Sequence, residues 1–476
     1  MMNVKNILNN FSIALLAQLV SLCLSLVTSF VVPKLLGIEE FAYWQLFMFY
    51  VSYSNITLFG LYDGIYLING GKTRAEINTR SISAQFQFAI VQQLLVALAI
   101  IVWAYCANMQ SKYLFTAIAV AIYALFFNLT SFLGYLFQAI NETKLFSLQI
   151  IISKVVFIFP LICLLFLHIT DFEYYVVCFT FGQIAALVFC LLKAKNLLVC
   201  RVQPIKQSIV KSFESISVGF KLMLANLMSM LILGITRWCV NDKWGLIVFG
   251  EIAFSLSLIS LFILFVSQLA MVLFPALKRA SIREQKKTFY TLSNVFGLLL
   301  PSVYVLYFPA SVFVGIWLPQ YQISLLYFAW FLPICIFNSR MDLIGTTFFK
   351  VCRKENELFK INLATMCFVL ATTLIGAYII EEIWVVVMSP VVGIAIRSVV
   401  SEFVMTKHLD VKFSSIVFQD ILFSVIFVCA TTFFQFIQAL FITLFCFAIM
   451  IALNYKQLLL IATDAKMRLH NDPNDL

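Results

Sequence analysis

Apolar runs recur along the whole chain, each about 20 to 30 residues long and separated from the next by a short polar stretch. They fall at roughly 8–32, 41–68, 84–106, 113–140, 146–168 and 174–192, then at roughly 214–239, 246–275, 289–317, 321–349, 359–380 and 383–405. Two closing runs, roughly 414–433 and 434–454, are separated only by a short turn. A membrane-crossing helix needs about 20 mostly apolar residues, so each run is long enough to span. The pattern predicts an all-α polytopic membrane protein of fourteen crossings, with twelve as the lower count. Little is left over for a soluble domain. The first ten residues lead into the first run without a small-residue cleavage site, which predicts a retained anchor helix instead of a signal peptide.

The basic residues orient the helices, because short cytoplasmic loops carry an excess of Lys and Arg. With the N-terminus inside, 23 of the 32 basic residues fall on inner segments, among them Arg74, Arg80, Lys206, Lys211, Lys287 and Arg353. The outer connections hold Lys34, Lys112, Arg237 and Lys243, and two of them are acidic, at Asp171 with Glu173 and at Glu381 with Glu382. This alternation predicts that both termini are cytoplasmic. It also gives the formal net charge of +10 a topological cause. Inner-leaflet lipids, and not nucleic acid, are the predicted partners of that charge.

The polar, basic stretch 193–211 is the longest break between runs. It divides the chain into 1–200, an N-lobe of six helices, and 201–412, a C-lobe of six, followed by 413–476, a helix pair and cytoplasmic tail. Each lobe opens with a long helix, a short outer turn containing Gly37 or Gly245, and an aromatic entry at Phe41 or Phe249. Six is even, so the two halves insert with the same orientation, as in parallel-repeat transporters, with a cavity between them. The closing pair falls outside the repeat and is predicted to pack peripherally.

Composition agrees: 63% of residues are hydrophobic and 11% charged, against roughly 25% charged in a soluble domain. The mean hydropathy is +1.00. The twelve cysteines are scattered without paired spacing, and His168, His408 and His470 lie far apart. Neither pattern predicts a disulfide framework, a metal site or a catalytic cluster. No nucleophile and base pair and no nucleotide-binding Gly-Lys motif appears, so neither an enzyme nor ATP-driven transport is predicted, and no cofactor.

A charge near the bilayer centre costs from about 3 to more than 10 kcal/mol, which makes an intramembrane ionisable residue a functional candidate. Lys360 lies near a helix start and can snorkel. Lys154, Lys221, Arg340 and Arg397 each lie about eight to nine residues in from the inner end of their runs, or roughly 12 to 14 Å at about 1.5 Å per residue. Four helices thus place a cation at one depth, where an anionic group entering from the cytoplasm needs compensating charge. The alternative is local neutralisation, with Arg340 beside Asp342 and Arg397 satisfied by Glu402 or Asp420. Asp63, flanked by Gly60 and Gly64, is either a hinge cap or a protonatable coupling group.

Three stretches carry a family resemblance. They are Val32-Pro33-Lys34-Leu35-Leu36-Gly37-Ile38-Glu39-Glu40-Phe41, then Gly60-Leu61-Tyr62-Asp63-Gly64 with Gly70-Gly71-Lys72, and Gly234-Ile235-Thr236-Arg237-Trp238, with the pattern resuming at Val248-Phe249-Gly250-Glu251. The chain resembles the O-antigen (Wzx-type) polysaccharide flippases, of the superfamily that also contains multidrug and toxin extrusion proteins and lipid II flippases. Thr236 stands where that family usually has an acid; Arg237 matches. The resemblance implies a two-lobed fold, alternating access in the bacterial inner membrane, and an undecaprenyl-diphosphate-linked glycan as cargo. Polysaccharide polymerase and chain-length regulator are the partners it implies. It adds Arg237 to the candidate cargo contacts Lys154, Lys221, Arg340 and Arg397, while Asp63, Gly60, Gly64 and Asp342 are the candidate coupling and hinge residues. A drug or cation antiporter of the same fold is the nearest rival, and it should favour acids over cations in its cavity. A polysaccharide polymerase or ligase should carry an extended outer loop, and here the outer loops are short.

Overall fold

The computed structural model describes the backbone of residues 4–198 and 204–471, and the side chains of 16, 18–198, 204–267, 277 and 280–455. The stretch 193–211, several inner basic residues and His470 therefore lie partly or wholly outside the described residues. Among those described there is helix and no strand. Ten helices are long and apolar enough to cross a membrane, or up to twelve if each of two bent pairs is one crossing. The chain is an all-α polytopic membrane protein.

It divides into two compact units, Met1–Met230 and Leu231–Leu476. In the first, α1 (Val4–Phe30), α2 (Val32–Ser52), α3 (Leu61–Asn69), α4 (Thr79–Cys106), α5 (Ser111–Ala139), α6 (Thr143–Phe166) and α7 (Phe172–Ala194) are followed by the start of α8 (Ile205–Arg279). Helix α5 is the hub and packs against α2, α3, α4, α6 and α7. Small residues allow this: a Cβ on Gly134 would overlap the Gln149 amide of α6. The second unit takes the rest of α8 with α9 (Ile282–Leu299), α10 (Ser302–Trp317), α11 (Gln322–Phe331), α12 (Pro333–Arg340), α13 (Thr347–Val351), α14 (Glu355–Ile375), α15 (Ile383–Leu409), α16 (Ile416–Phe433) and α17 (Phe436–Asn471). Here α15 is central, against α11, α12 and α14.

Each of the fourteen predicted segments coincides with helix, and the breaks explain the differing counts. The stretch Ile205–Ser267 is 63 residues of helix, about 95 Å at 1.5 Å per residue and roughly three hydrocarbon thicknesses. It turns at Gly245, where φ is 84° and ψ is 179°. Gly37 has nearly the same backbone, φ 74° and ψ −178°, a conformation that only glycine adopts readily. The repeated turn read from the sequence is thus one backbone device used twice, and Phe41 and Phe249 after it are both fully buried.

Polar side chains fix both turns to neighbouring helices. In the first unit Glu40 accepts from Lys112 at the start of α5 and, at 3.0 Å, from the Phe172 N–H at the start of α7. In the second, Lys243 pairs with Glu381, and the Tyr378 hydroxyl donates to Asp242 at 2.6 Å.

The run 41–68 is a broken helix. Between α2 and α3 lies a 3₁₀ turn, Ser54–Leu58, ending in left-handed Phe59 and Gly60. A break in a membrane span frees backbone groups that lipid cannot satisfy. Here the Ser54 carbonyl accepts from Asn128 at 3.0 Å and the Thr57 carbonyl from Gln92 at 2.9 Å, and Asn128 also donates to Gln93. A second interruption is the π-turn Met341–Thr346 between α12 and α13.

Candidate functional site

The predicted cations divide by what neutralises them. Lys154 on α6 lines a partly open cavity of about 220 Å³ formed by residues of α5, α6 and α7. One side of it is aromatic, with Tyr123 stacked on Phe179 at 5.2 Å and on Phe127 at 5.7 Å. The other side carries Thr130, Gln149 and Gln183, all buried. Gln149 is already oriented, since its Oε1 accepts from the Cys190 thiol at 2.9 Å. Lys154 itself makes no hydrogen bond or ion pair with the described residues. Unlike charge brought to that ammonium has no acid to displace.

Arg340 is the opposite case. It is 1% exposed and its guanidinium is filled: Nη2 donates to Glu402 at 2.8 Å, Nη1 to Asp420 at 2.8 Å, and Ser293 accepts a further bond at 3.2 Å. Glu402 also takes a bond from the Ser293 hydroxyl. The acids come from α15 and α16 and are 2% and 0% exposed. Neutralisation therefore holds for Arg340, with partners other than the expected Asp342. Residues two apart on a helix face different ways, which sets Arg340 and Asp342 on different sides of α12 and its π-turn.

Arg397 is 6% exposed and donates from Nη2 to the Asn338 side-chain carbonyl at 2.7 Å, while Asn338 Nδ2 donates to Asp342 at 3.3 Å. Its Nε is buried with no hydrogen-bond partner. Glu402, five residues further along α15, turns away to Arg340, so among the described residues the hydrogen-bonded link from Arg397 to an acid, Asp342, runs through Asn338. Arg237 stands with its guanidinium 5.5 Å from the centre of the Phe249 ring, just past the Gly245 turn. Lys221 is exposed on α8 and does not line the Lys154 cavity; both lysines lie in the first unit.

Asp63 is 2% exposed and makes no hydrogen bond or ion pair with the described residues; its Oδ2 is buried without a partner. Helix α3 begins at Gly60 with no side-chain cap, so the carboxylate does not fill that role here. Gly60 and Gly64 instead form a crossing with α8. A Cβ on Gly60 would lie 2.8 Å from the Gly219 carbonyl carbon, and one on Gly64 would overlap the Ser215 carbonyl. Among the described residues no group of three or more His, Cys, Asp or Glu could hold a metal ion.

No family model matches the sequence and no curated protein matches it. The fold does match solved structures. A lipid II flippase, MurJ, in an inward closed conformation superposes with a TM-score of 0.63 over 94% of this chain and 99% of its own, at 14% identity. An inward-facing MATE family multidrug resistance transporter of the MOP superfamily gives 0.58 over 84% and 97%, at 10% identity. A Vibrio cholerae MATE transporter, VcmN, gives 0.54 over 87% and 98%, at 14% identity. This chain thus has the fold that these flippases and transporters share, nearly from end to end.

Sequence reading missed Asn338, Gln149 and Gln183. The signal was available, since each is an amide inside an apolar run, where a polar group that is not hydrogen-bonded is expensive.

Proposed function

We propose that the chain is a flippase that carries an undecaprenyl-diphosphate-linked oligosaccharide, of the O-antigen kind, from the cytoplasmic to the periplasmic leaflet of the bacterial inner membrane by alternating access. The observation that carries this reading is Lys154, an intramembrane cation with no acid beside it, in a cavity whose other walls are aromatic rings and amides. Rings stack on the apolar faces of sugars, amides bond their hydroxyls, and the ammonium matches a phosphate or an acidic sugar. The fold likeness to a lipid II flippase supports a lipid-linked cargo. In this reading Lys154 is the principal contact, Arg397 with Asn338 and Asp342 a second polar contact, and Arg340 a structural cation. Both termini are cytoplasmic, and a polymerase and chain-length regulator receive the product.

The test is Lys154→Ala beside Lys154→Arg, reading membrane abundance and the lipid-linked sugar that accumulates on the inner face. Removing an unpaired intramembrane charge should leave abundance at or above the native level. Losing one charge-assisted hydrogen bond, about 1.5 to 3 kcal/mol, should slow flipping roughly 10- to 150-fold, with Lys154→Arg retaining much of the rate. Native flipping by Lys154→Ala at native abundance would refute the assignment.

One observation favours a second reading, a cation antiporter. Asp63 is a buried acid without a partner in the first unit, and two of the fold neighbours are MATE transporters. Cells carrying the protein would then export cationic dyes, and Asp63→Asn would abolish the export while flipping stayed unaffected.

A further inference from the structure

The cavity beside Lys154 is small. Its volume of about 220 Å³ lies below the roughly 300 to 1,000 Å³ of sites that take drug-sized ligands, so it admits one ring of an oligosaccharide and leaves the neighbouring rings outside. Close packing of two helices fixes its walls. A Cβ on Gly182 of α7 would overlap the Ser153 carbonyl of α6, and the residues that follow these two, Gln183 and Lys154, both line the cavity.

The polar atoms on those walls are of particular kinds. Among the described residues that line the cavity, Lys154 alone is charged. Gln183 is 7% exposed and makes no hydrogen bond with the described residues, which leaves its side-chain carbonyl and both amide hydrogens open to a ligand. A buried amide in that state is costly unless something that enters the cavity completes it. Thr130 and Ser153 have committed their hydroxyl hydrogens. Each donates to a carbonyl of its own helix, Thr130 to Phe126 at 2.8 Å and Ser153 to Ile150 at 2.9 Å. What remains on both oxygens is lone pairs, which accept hydrogen bonds and repel a group that has no hydrogen to give. The stacked rings of Tyr123 and Phe179 supply the apolar part of the wall.

We infer that this cavity receives a single acidic sugar residue of the cargo, a ring bearing one carboxylate, and not the cargo's diphosphate. The inference rests on the reading of Lys154 as a cargo contact and names the part of the cargo that it meets. A diphosphate diester carries two negative charges, and one ammonium would leave the second uncompensated inside the membrane. It also has no hydroxyl to donate to Thr130 and Ser153. A sugar acid brings one charge for one ammonium, hydroxyls that donate to those two oxygens and satisfy both ends of the Gln183 amide, and an apolar ring face for Tyr123 and Phe179.

The experiment uses the purified full chain in phosphatidylcholine nanodiscs and reads binding by saturation-transfer NMR, with methyl β-glucuronide and methyl β-glucoside as probes. The two differ only in a carboxylate against a hydroxymethyl group. We expect the glucuronide to bind more tightly by roughly 10- to 150-fold, the span of one charge-assisted hydrogen bond, and inorganic pyrophosphate to compete poorly with it. Lys154→Gln, which keeps a long polar side chain and removes the charge, should bring that ratio close to one. Gln183→Leu should weaken both probes together and leave the ratio in place, which a merely structural loss at Lys154 could not mimic in reverse. Equal affinity for the two probes, no binding of the glucuronide, a ratio unchanged by Lys154→Gln, or displacement of the glucuronide by a lower concentration of pyrophosphate would each overturn the inference. Those outcomes leave the flippase reading in place, with Lys154 meeting another part of the cargo. That reading falls instead on native flipping by Lys154→Ala, whatever the sugar probes show.

Discussion

Substituting Arg340 by methionine should be among the most damaging changes to folding in this chain. At an effective dielectric of about 20, unit charges 2.8 Å apart attract by about 6 kcal/mol, and Arg340 has two such partners. Bringing three ions out of water costs several kcal/mol for each, so the assembled cluster contributes little net stability. Removal of the cation is different, because Glu402 and Asp420 are then left buried, unpaired and mutually repelling. Breaking a buried pair in this way costs about 3 to 5 kcal/mol, a shift on the order of 10² to 10³ or more in the ratio of folded to misfolded protein. Fluorescence-detected size exclusion of a fusion, with membrane abundance, would measure it. The triple variant Arg340→Met/Glu402→Met/Asp420→Leu, which has no charge left to strand, should recover most of the folded yield. Native yield for Arg340→Met, or a triple variant no better than the single, would refute the reasoning. It would also return Arg340 to the candidates for cargo contact.

Two further outcomes follow from the backbone and the loops. Gly64→Ala should lower folded yield more than Gly245→Ala, because the first drives a Cβ into the Ser215 carbonyl while the second meets open space and only the backbone cost of its positive-φ extended conformation, about 1 to 3 kcal/mol; the same yield assay ranks them, and the reverse order would contradict the close crossing. Reporter fusions after Arg80, Lys206 and Lys287 should read cytoplasmic and those near Asp171, Gln320 and Glu382 external, and an external signal at Lys287 would overturn the orientation read from the basic residues.

The helices were legible because length and apolarity decide them: runs such as 113–140 and 383–405 match α5 and α15 to within a few residues. The breaks inside helices were not. Run 41–68 is apolar enough overall to read as one span, and its interruption at Ser54–Leu58 depends on Gln92, Gln93 and Asn128, which arrive from two other runs. Depth along the helix found the intramembrane cations for the same reason it found the helices, since both are one-dimensional properties. It could not say which cation is neutralised. The partners of Arg340 sit 62 and 80 residues away, and only the packing of α12 on α15 and the reach of the Arg340 side chain to α16 bring them together. Helix geometry could have narrowed the choice, because five residues of an α-helix turn through about 500°, which already sets Arg397 and Glu402 well apart on α15.

The two units therefore open on the same backbone device at Gly37 and Gly245 and diverge in what they do with charge. In the second, Arg340 is consumed by two carboxylates, one of them on α16, so a helix outside the predicted repeat is tied to the unit by a bond that cannot be broken cheaply. In the first, Lys154 and Asp63 are each left without a partner, though a chain selected only for stability would have paired or removed them. An uncompensated charge is the kind a cargo or a proton can neutralise, so under the proposed flippase function Lys154 and Asp63 in the first unit, with Arg397 in the second, are the residues at which a response to cargo or to pH is expected.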